Sequence, residues 1–275
     1  MRLEDMQRSE NVEDRRGFRP VHGIGLGTIA ILVVGYFMGV SPSTLLGLLG
    51  AGESVTQGAG AAQQQGVTGR PHDPQGDFAA AVLGETEDVW TKYFAAAGQH
   101  YTPPTLVLFN GEVASACGDA STAAGPFYCP GDQKVYIDLD FFNQLASDFG
   151  APGDFARAYV LAHEVGHHVQ NLLGLTKGSA SRGANGGSVA IELQADCLAG
   201  VWAMRDQRVI EPGEVQQALA AAAAVGDDTL QKRMQGRVVP ETFTHGTSAQ
   251  RQRWFERGFQ GGKIESCDTQ SASQL

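Results

Sequence analysis

The amino-acid sequence predicts an α+β fold, mainly helical with a small sheet, preceded by one transmembrane helix. Two short runs, Thr105–Phe109 and 135–139, are rich in β-branched residues and bounded by Pro, Gly and Asn, which is typical of strands. Several longer segments carry apolar residues at helical spacing. An uncharged apolar run at 23–40, which Leu-rich residues after it extend, supplies the predicted membrane helix.

Length and charge limit the classes of protein to consider. The chain has 275 residues and a net charge of −10 at pH 7, which suits one membrane segment plus one globular domain. The acidic balance and the lack of a basic stripe disfavour binding to a phosphate backbone, so nucleic acid is not expected as a partner. All four cysteines follow the apolar run and fit two disulfides in an oxidising compartment. Four reduced, buried thiols are the alternative.

Four segments are predicted along the chain: a solvated cytoplasmic tail (1–20), a transmembrane anchor (21–49), a flexible linker (50–76) and the globular domain (77–275). Arg15, Arg16 and Arg19 precede the apolar run, and the next basic residue after it is Arg70. This bias places the N-terminus in the cytoplasm and the domain outside, with a single crossing of the cell membrane. A cleaved signal peptide and a buried core helix are the alternatives, disfavoured by the charged lead-in and by the one-sided arginines.

The predicted helix Asp154–Leu173 carries the strongest chemical signal. His163 and His167 are four residues apart, so both imidazoles project from one face of the helix and can share one zinc ion. Zinc lowers the pKa of a bound water to about 7, and a carboxylate such as Glu164 can take its proton during attack on a carbonyl. This spacing is the H-E-x-x-H pattern of zinc proteases. A surface helix with two solvated histidines is the alternative, disfavoured by the small apolar neighbours.

A catalytic zinc needs a third protein ligand and an open position for water. The next predicted helix contains Glu192 and, one turn further, Asp196. We expect Glu192 to complete the ligand set and Asp196 to accept a hydrogen bond from the outer ring nitrogen of a ligand histidine. Two alternatives stay open: exchanged roles for Glu192 and Asp196, and His245 as the third ligand.

Two residues near the C-terminal predicted helix complete the candidate site. His245 stands just before the start of that helix, where free backbone donors lie, and as a donor beside the cleft it would stabilise an oxyanion. A histidine that caps or staples the helix start is the alternative. Arg251 is expected to serve as an ion-pair or hydrogen-bond partner, with a contact to substrate as the other reading.

The cysteine spacing predicts two cross-links. Cys117 and Cys129 bracket a Gly/Ala/Ser/Pro loop that gains most from a cross-link, because nothing else orders it. We therefore predict the pair Cys117–Cys129. The remaining pair, Cys197–Cys267, would tie the C-terminal tail to the helix that carries Asp196.

Three segments together resemble the bacterial neutral zinc metallopeptidase family: 162–170 (A-H-E-V-G-H-H-V-Q), 192–197 (E-L-Q-A-D-C) and 244–248 (T-H-G-T-S). Residues 15–17 and the G-P-F-Y-C-P segment at 125–130 add to the resemblance, which covers nearly the whole chain. It implies a zincin-like fold of the gluzincin kind, Zn²⁺ as the cofactor and a peptide or protein substrate. The alternative function is a zinc-stabilised, membrane-tethered binding or assembly module with little or no turnover.

Overall fold

The structure is a computed structural model that describes residues 1–17, 66–121, 125–176, 184–272 and 274–275. The predicted transmembrane anchor at 21–49 lies outside these residues, and so does the predicted linker up to residue 65. Within the described ranges, no helix combines the length and the apolar character that crossing a membrane requires.

The fold is mixed α and β, with seven helices and a small main sheet among the described residues. In chain order the helices are α1 (Pro74–Ala96), α2 (Asp140–Ser147), α3 (Asp154–Leu173), α4 (Ala184–Arg205), α5 (Val215–Ala224), α6 (Asp227–Gln235) and α7 (Ser248–Gly261). The strands are β1 (Val12–Asp14), β2 (Val67–Thr68), β3 (Thr105–Phe109), β4 (Glu112–Ser115), β5 (Gly118–Ser121), β6 (Phe127–Cys129) and β7 (Lys134–Asp138).

The main sheet has the strand order β2-β1-β3-β7-β6. Strands β1, β3 and β7 run parallel, and β2 and β6 are antiparallel strands at the two edges. The two strands predicted from sequence are β3 and β7, which pair with each other and are buried over most of their length. Continuous apolar runs are typical of such central parallel strands. Edge strand β6 contacts α3, so one margin of the sheet reaches the helix that carries the two histidines.

Residues 1–17 belong to the folded domain, so the predicted solvated tail at 1–20 is wrong for this part of the chain. Val12 is buried and lies opposite Leu106 in the parallel pair of β1 and β3. The charged residues that suggested a tail are neutralised inside the fold: Glu13 accepts hydrogen bonds from Arg15 and Lys134, each at 2.7 Å. Buried charges are tolerated when they are paired in this way.

The pairing of β1 with β2 also constrains how the chain can meet a membrane. Asp14 lies opposite Val67, so the described residues on either side of the segment 18–65 are neighbours in one sheet. A single membrane crossing between residues 17 and 66 would separate β1 from β2 and β3, which their hydrogen bonds exclude. The predicted arrangement, with residues 1–20 inside the cytoplasm and residues 77–275 outside, is therefore incompatible with this sheet.

The domain also begins earlier than the predicted residue 77. Helix α1 starts at Pro74, and the Asp73 side chain caps it by accepting a hydrogen bond from the Gly76 amide at 3.0 Å. Asp77 forms ion pairs with Arg8 and Arg70. Residues 66–76, predicted as linker, thus contribute a strand and a helix cap to the fold.

Helix α3 has the predicted bounds, and Gly174 ends it in the left-handed conformation with φ of 66°. It packs against α4, and α4 packs in turn against α7. Gly166 permits the close approach of α3 to α4, because a Cβ there would lie 3.0 Å from the Ala195 carbonyl oxygen. The contact brings the acids of α4 opposite the histidines of α3.

Both predicted disulfides are present. Cys117–Cys129 joins the turn between β4 and β5 to β6. Cys197–Cys267 joins α4 to the segment that follows α7. The second pair is fully buried and spans a sequence separation of 70. A cross-link that closes a loop of this length stabilises a fold by about 4 kcal/mol in the chain-entropy model.

We predict that Glu13→Gln lowers the free energy of unfolding at pH 7 by about 3 kcal/mol, the value of a shift between two and three pKa units. Burial alone would raise the pKa of Glu13, but hydrogen bonds from Arg15 and Lys134 lower it from 4.5 to about 2. A carboxyl with a lowered folded pKa stabilises the fold above its unfolded pKa and loses this effect as pH falls toward the folded value. Urea unfolding measures the free energy of unfolding of the wild type and of Glu13→Gln at pH 7 and at pH 3. The difference between the two proteins should be smaller at pH 3.

The matched control is Glu256→Gln on the exposed face of α7, which should stay within about 0.5 kcal/mol of the wild type. If Glu13→Gln were as harmless as this control at pH 7, β1 would not contribute to the folded domain in solution.

Candidate metal centre and active-site cleft

The side chains of His163, His167 and Glu192 converge between α3 and α4, and we call them the ligand triad. One potential ligand atom from each lies within 4.8 Å of the other two. Glu192 directs Oε2 to His163 Nε2 at 3.2 Å and Oε1 to His167 Nε2 at 3.5 Å. The two imidazole rings are nearly perpendicular, with centroids 4.8 Å apart. Two ring nitrogens and a carboxylate therefore face one small volume.

This donor set fits zinc. Two imidazoles and one carboxylate form a known ligand set of catalytic zinc sites, which leave a fourth position open. On the outer side, His163 Nδ1 is hydrogen-bonded to Asp196 and His167 Nδ1 to Gln170. Each ring therefore directs its Nε2 toward Glu192. Of the alternatives raised by the sequence, Asp196 lies outside the triad, and His245 is not part of the group that could hold a metal.

The Asp196 carboxylate holds His163. It is fully buried and accepts a hydrogen bond from His163 Nδ1 at 2.8 Å and one from the Tyr159 hydroxyl. Arg251 donates two more, from Nε and Nη2, each at 2.8 Å. Arg251 is itself buried, so its role in the structure is this bidentate ion pair. Tyr159 was not singled out by the sequence analysis, although it lies one helical turn before His163.

Two glutamines hold His167. Gln170 Oε1 lies 2.8 Å from His167 Nδ1, and Gln170 Nε2 lies 2.8 Å from the Ile191 carbonyl oxygen and 2.9 Å from Gln194 Oε1. Neither glutamine was predicted from the sequence to take part in the site. The available signal was that Gln170 follows His167 by three residues, which places both on one face of α3.

In the absence of a metal ion, attraction between the histidines and the neighbouring carboxylates holds the triad together. Burial alone would lower the pKa of His163, but the charges and hydrogen bonds of Asp196 and Glu192 raise it to about 10. Burial likewise opposes charge on Glu192, yet the neighbouring histidines hold the pKa of its carboxyl well below the usual range. Metal-free His163 is thus protonated near neutral pH, and a metal ion has to displace that proton to bind.

Glu164 and the ligand triad line one cleft of about 920 Å³, within the size range of small-ligand and substrate pockets. The Glu164 side chain is largely buried in the wall of this cleft. Much of the remaining wall is apolar and is formed by Phe127, Phe141, Phe149, Val160, Leu230 and Met234. The Glu164 carboxylate thus lies beside the triad in a partly apolar cleft.

His245 lines the same cleft, and 49% of its side chain is exposed. The Asp227 carboxylate accepts hydrogen bonds from the main-chain amides of Thr244, His245 and Gly246 and lies 3.3 Å from His245 Nδ1. This hydrogen bond raises the pKa of His245. The cap of α7 is Thr247, so the alternative reading of His245 as a capping histidine is wrong.

His168, next to His167, faces away from the triad because successive residues of a helix differ by about 100°. It is fully buried and bridges α3 to the sheet. Its Nε2 donates to the Thr102 carbonyl oxygen at 2.7 Å, so its Nδ1 accepts from the Tyr128 hydroxyl at 3.1 Å. The hydrogen bond with Tyr128 holds strand β6, which forms part of the cleft wall, against helix α3.

Comparison with known proteins agrees with these observations. The chain is 44% identical over 292 aligned residues to the protein YpfJ of Escherichia coli K12, with 98% of both chains covered. It is 52% identical over 191 residues to the protein Rv2575 of Mycobacterium tuberculosis H37Rv, covering 64% of this chain and 65% of that one. Both relatives are described as uncharacterized. No solved structure matches the chain significantly.

A family model described as "Putative neutral zinc metallopeptidase" matches residues 1–270, which is nearly the whole chain. The ligand triad and Glu164 lie within the matched residues. The chain belongs to this family.

Proposed function

We propose that the protein hydrolyses peptide bonds of peptide or protein substrates as a zinc-dependent peptidase. The observation that carries this proposal is the ligand triad, with donor atoms within 4.8 Å of one another, beside the Glu164 carboxylate in one cleft. Membership of the zinc metallopeptidase family supports it.

His163 and His167, each through Nε2, and the Glu192 carboxylate would hold the ion. When bound, Zn²⁺ lowers the pKa of water to about 7 and polarises a carbonyl oxygen. Glu164 accepts a proton from the attacking water while the water oxygen bonds to the carbonyl carbon of the substrate. Glu164 then delivers this proton to the leaving nitrogen as the carbon–nitrogen bond breaks, and the products are a carboxylic acid and an amine. Transfer of the remaining water proton from the acid to the amine gives a carboxylate and an ammonium ion. Asp196 and Arg251 keep His163 oriented throughout.

His245 is the proposed donor to the oxygen that becomes negatively charged during this attack. Asp227 and Thr244 occupy Nδ1 of its ring, which leaves Nε2 as the nitrogen available to the cleft. A donor placed in advance where charge develops lowers the barrier of acyl-transfer reactions. The raised pKa of His245 favours the protonated ring, in which Nε2 is a donor.

The protein is further proposed to act outside the cytoplasm, attached to the cell membrane through the apolar run at 23–40. Two disulfides support an oxidising compartment. The length and lack of charge of the apolar run support a membrane contact. Because β1 pairs with β2 and β3, the N-terminal residues are expected on the same side as the rest of the domain.

Replacing Glu164 with Gln should lower kcat on a general protein substrate by a factor of about 10² to 10⁴, since the amide cannot take a proton from water. Zinc content should stay at the wild-type level, because Glu164 is not part of the ligand triad. Metal analysis and turnover are measured on the same preparations, with Glu256→Gln as the control. Unchanged turnover would remove Glu164 as the base. A wild-type protein that retains zinc but hydrolyses nothing would favour the binding-module alternative.

His245→Ala is expected to reduce kcat about 100-fold while zinc content and KM change little, because a donor to the developing charge acts in the transition state. His100→Ala is the control, since His100 is exposed and outside the cleft. Loss of zinc from the His245 variant would instead identify this residue as a metal ligand. An unaltered kcat would exclude it from the reaction.

Cysteines introduced as Glu4→Cys and Glu256→Cys should react with a membrane-impermeant maleimide to the same extent in cells whose cytoplasmic membrane is intact. Both positions are exposed and lie in one folded unit. Labelling of both supports a domain outside the cytoplasm, and labelling of neither contradicts it. Labelling of residue 256 alone would mean that β1 is not in the sheet of the membrane-bound protein.

A further inference from the structure

We infer that Gln170, Gln194 and the disulfide Cys197–Cys267 act together to position His167 for the metal. They form one hydrogen-bonded series that runs from the ring of His167 to the main chain after α7. The inference rests on the proposed zinc binding, and it assigns a role to residues that do not themselves touch the ion.

The direction of each hydrogen bond in the series can be assigned by starting from the Cys267 carbonyl oxygen. The carbonyl oxygen of Cys267 can only accept, so Gln194, at 2.9 Å, must present its amide nitrogen to it. Gln194 Oε1 is then the acceptor at the other side of the same amide, and Gln170 must present its own nitrogen there at 2.9 Å. The Ile191 carbonyl oxygen, 2.8 Å from Gln170 Nε2, requires the same orientation.

The last hydrogen bond of the series joins Gln170 to His167. With its nitrogen committed, Gln170 offers only Oε1 to His167 Nδ1 at 2.8 Å, so Nδ1 must carry the proton. The neutral imidazole then has its free lone pair on Nε2, the nitrogen that faces Glu192. The main-chain carbonyls of Ile191 and Cys267 thus act together to select the tautomer of His167 that can bind a metal.

Burial keeps the series in this one arrangement. Gln170 is 0% exposed and Gln194 is 4% exposed, so water does not compete for their amide groups. Turning either amide over would bring two acceptors or two donors face to face in a buried place. Leaving such groups unpaired costs about 1–3 kcal/mol each.

The disulfide fixes the end of the series. Cys267 lies in a short 3-10 turn, Ile264–Cys267, and its bond to Cys197 holds this turn against α4. Thr269 adds a hydrogen bond at 2.6 Å from its hydroxyl to the Ala190 carbonyl oxygen on the same helix. Helix α4 also carries Glu192 and Gln194, so the turn is held in register with the ligand triad.

The primary experiment measures the zinc dissociation constant of the purified full chain by competition with a chromophoric chelator. Gln170→Met and Gln194→Met remove the hydrogen bonds at similar volume and should weaken zinc binding by about 10- to 100-fold. Gln217→Met is the matched control. It removes the glutamine that accepts from the Phe155 amide at the other end of α3, 3.1 Å away, and should leave zinc affinity unchanged.

Gln170→Glu separates positioning from packing. The carboxylate keeps an acceptor for His167 Nδ1, so zinc affinity should recover substantially relative to Gln170→Met. If Gln170 only filled space, the buried charge of the Glu variant would make it the worse of the two. Zinc binding by Gln170→Met as tight as that of the wild type would overturn the inference.

The disulfide is tested by a double-mutant cycle. Cys197→Ala with Cys267→Ala should weaken zinc binding, and Gln194→Met added to this background should have little further effect, because both changes break the same series. Fully additive losses would remove the disulfide from the series. If the disulfide-free chain does not fold, Thr269→Val takes its place in the test. This variant removes the hydrogen bond to Ala190 and leaves the disulfide intact, and it should also weaken zinc binding.

The outcomes separate this inference from the proposed function. A folded wild-type chain that binds no zinc would contradict the proposed peptidase. A wild-type chain that binds zinc, with glutamine variants that bind it equally well, would contradict only the positioning series.

Discussion

The fold and the candidate site both depend on the buried carboxylate of Asp196. It lies where α3, α4 and α7 meet, and it accepts hydrogen bonds from Tyr159, His163 and Arg251. Breaking a buried ion pair on one side leaves the other charge without compensation and costs about 3–5 kcal/mol. The same contacts that hold these helices together therefore fix the orientation of one imidazole of the ligand triad.

The two imidazoles are held by groups of different charge. His163 donates to a carboxylate that is neutralised by Arg251, whereas His167 donates to the neutral amide of Gln170. Neither arrangement adds net negative charge to the surroundings of the triad. For an ion bound there, Glu192 would be the main compensating anion, which leaves the ion with much of its power to polarise a substrate carbonyl.

Sequence reasoning succeeded where a residue pattern is set by local geometry. The helix Asp154–Leu173, its stop at Gly174 and the pair Cys117–Cys129 follow from helical spacing, glycine at a C-cap and loop closure. Cys197–Cys267 is then the remaining pair. It failed where tertiary contacts override composition. Glu13 and its charged neighbours looked like a solvated tail, because no local signal shows that Lys134 neutralises Glu13 from a strand far along the chain. Gln194 was missed because glutamine is usually a surface residue.

The distribution of the site along the sequence has a consequence for biosynthesis. The two histidines leave the ribosome about a hundred residues before Cys267, and Arg251 also comes late. During that interval the nascent polypeptide contains the imidazoles of His163 and His167. It does not yet contain Arg251 or Cys267, whose contacts help to orient them. The contacts that orient both imidazoles are therefore complete only after Arg251 and Cys267 have been synthesised and the Cys197–Cys267 disulfide has formed.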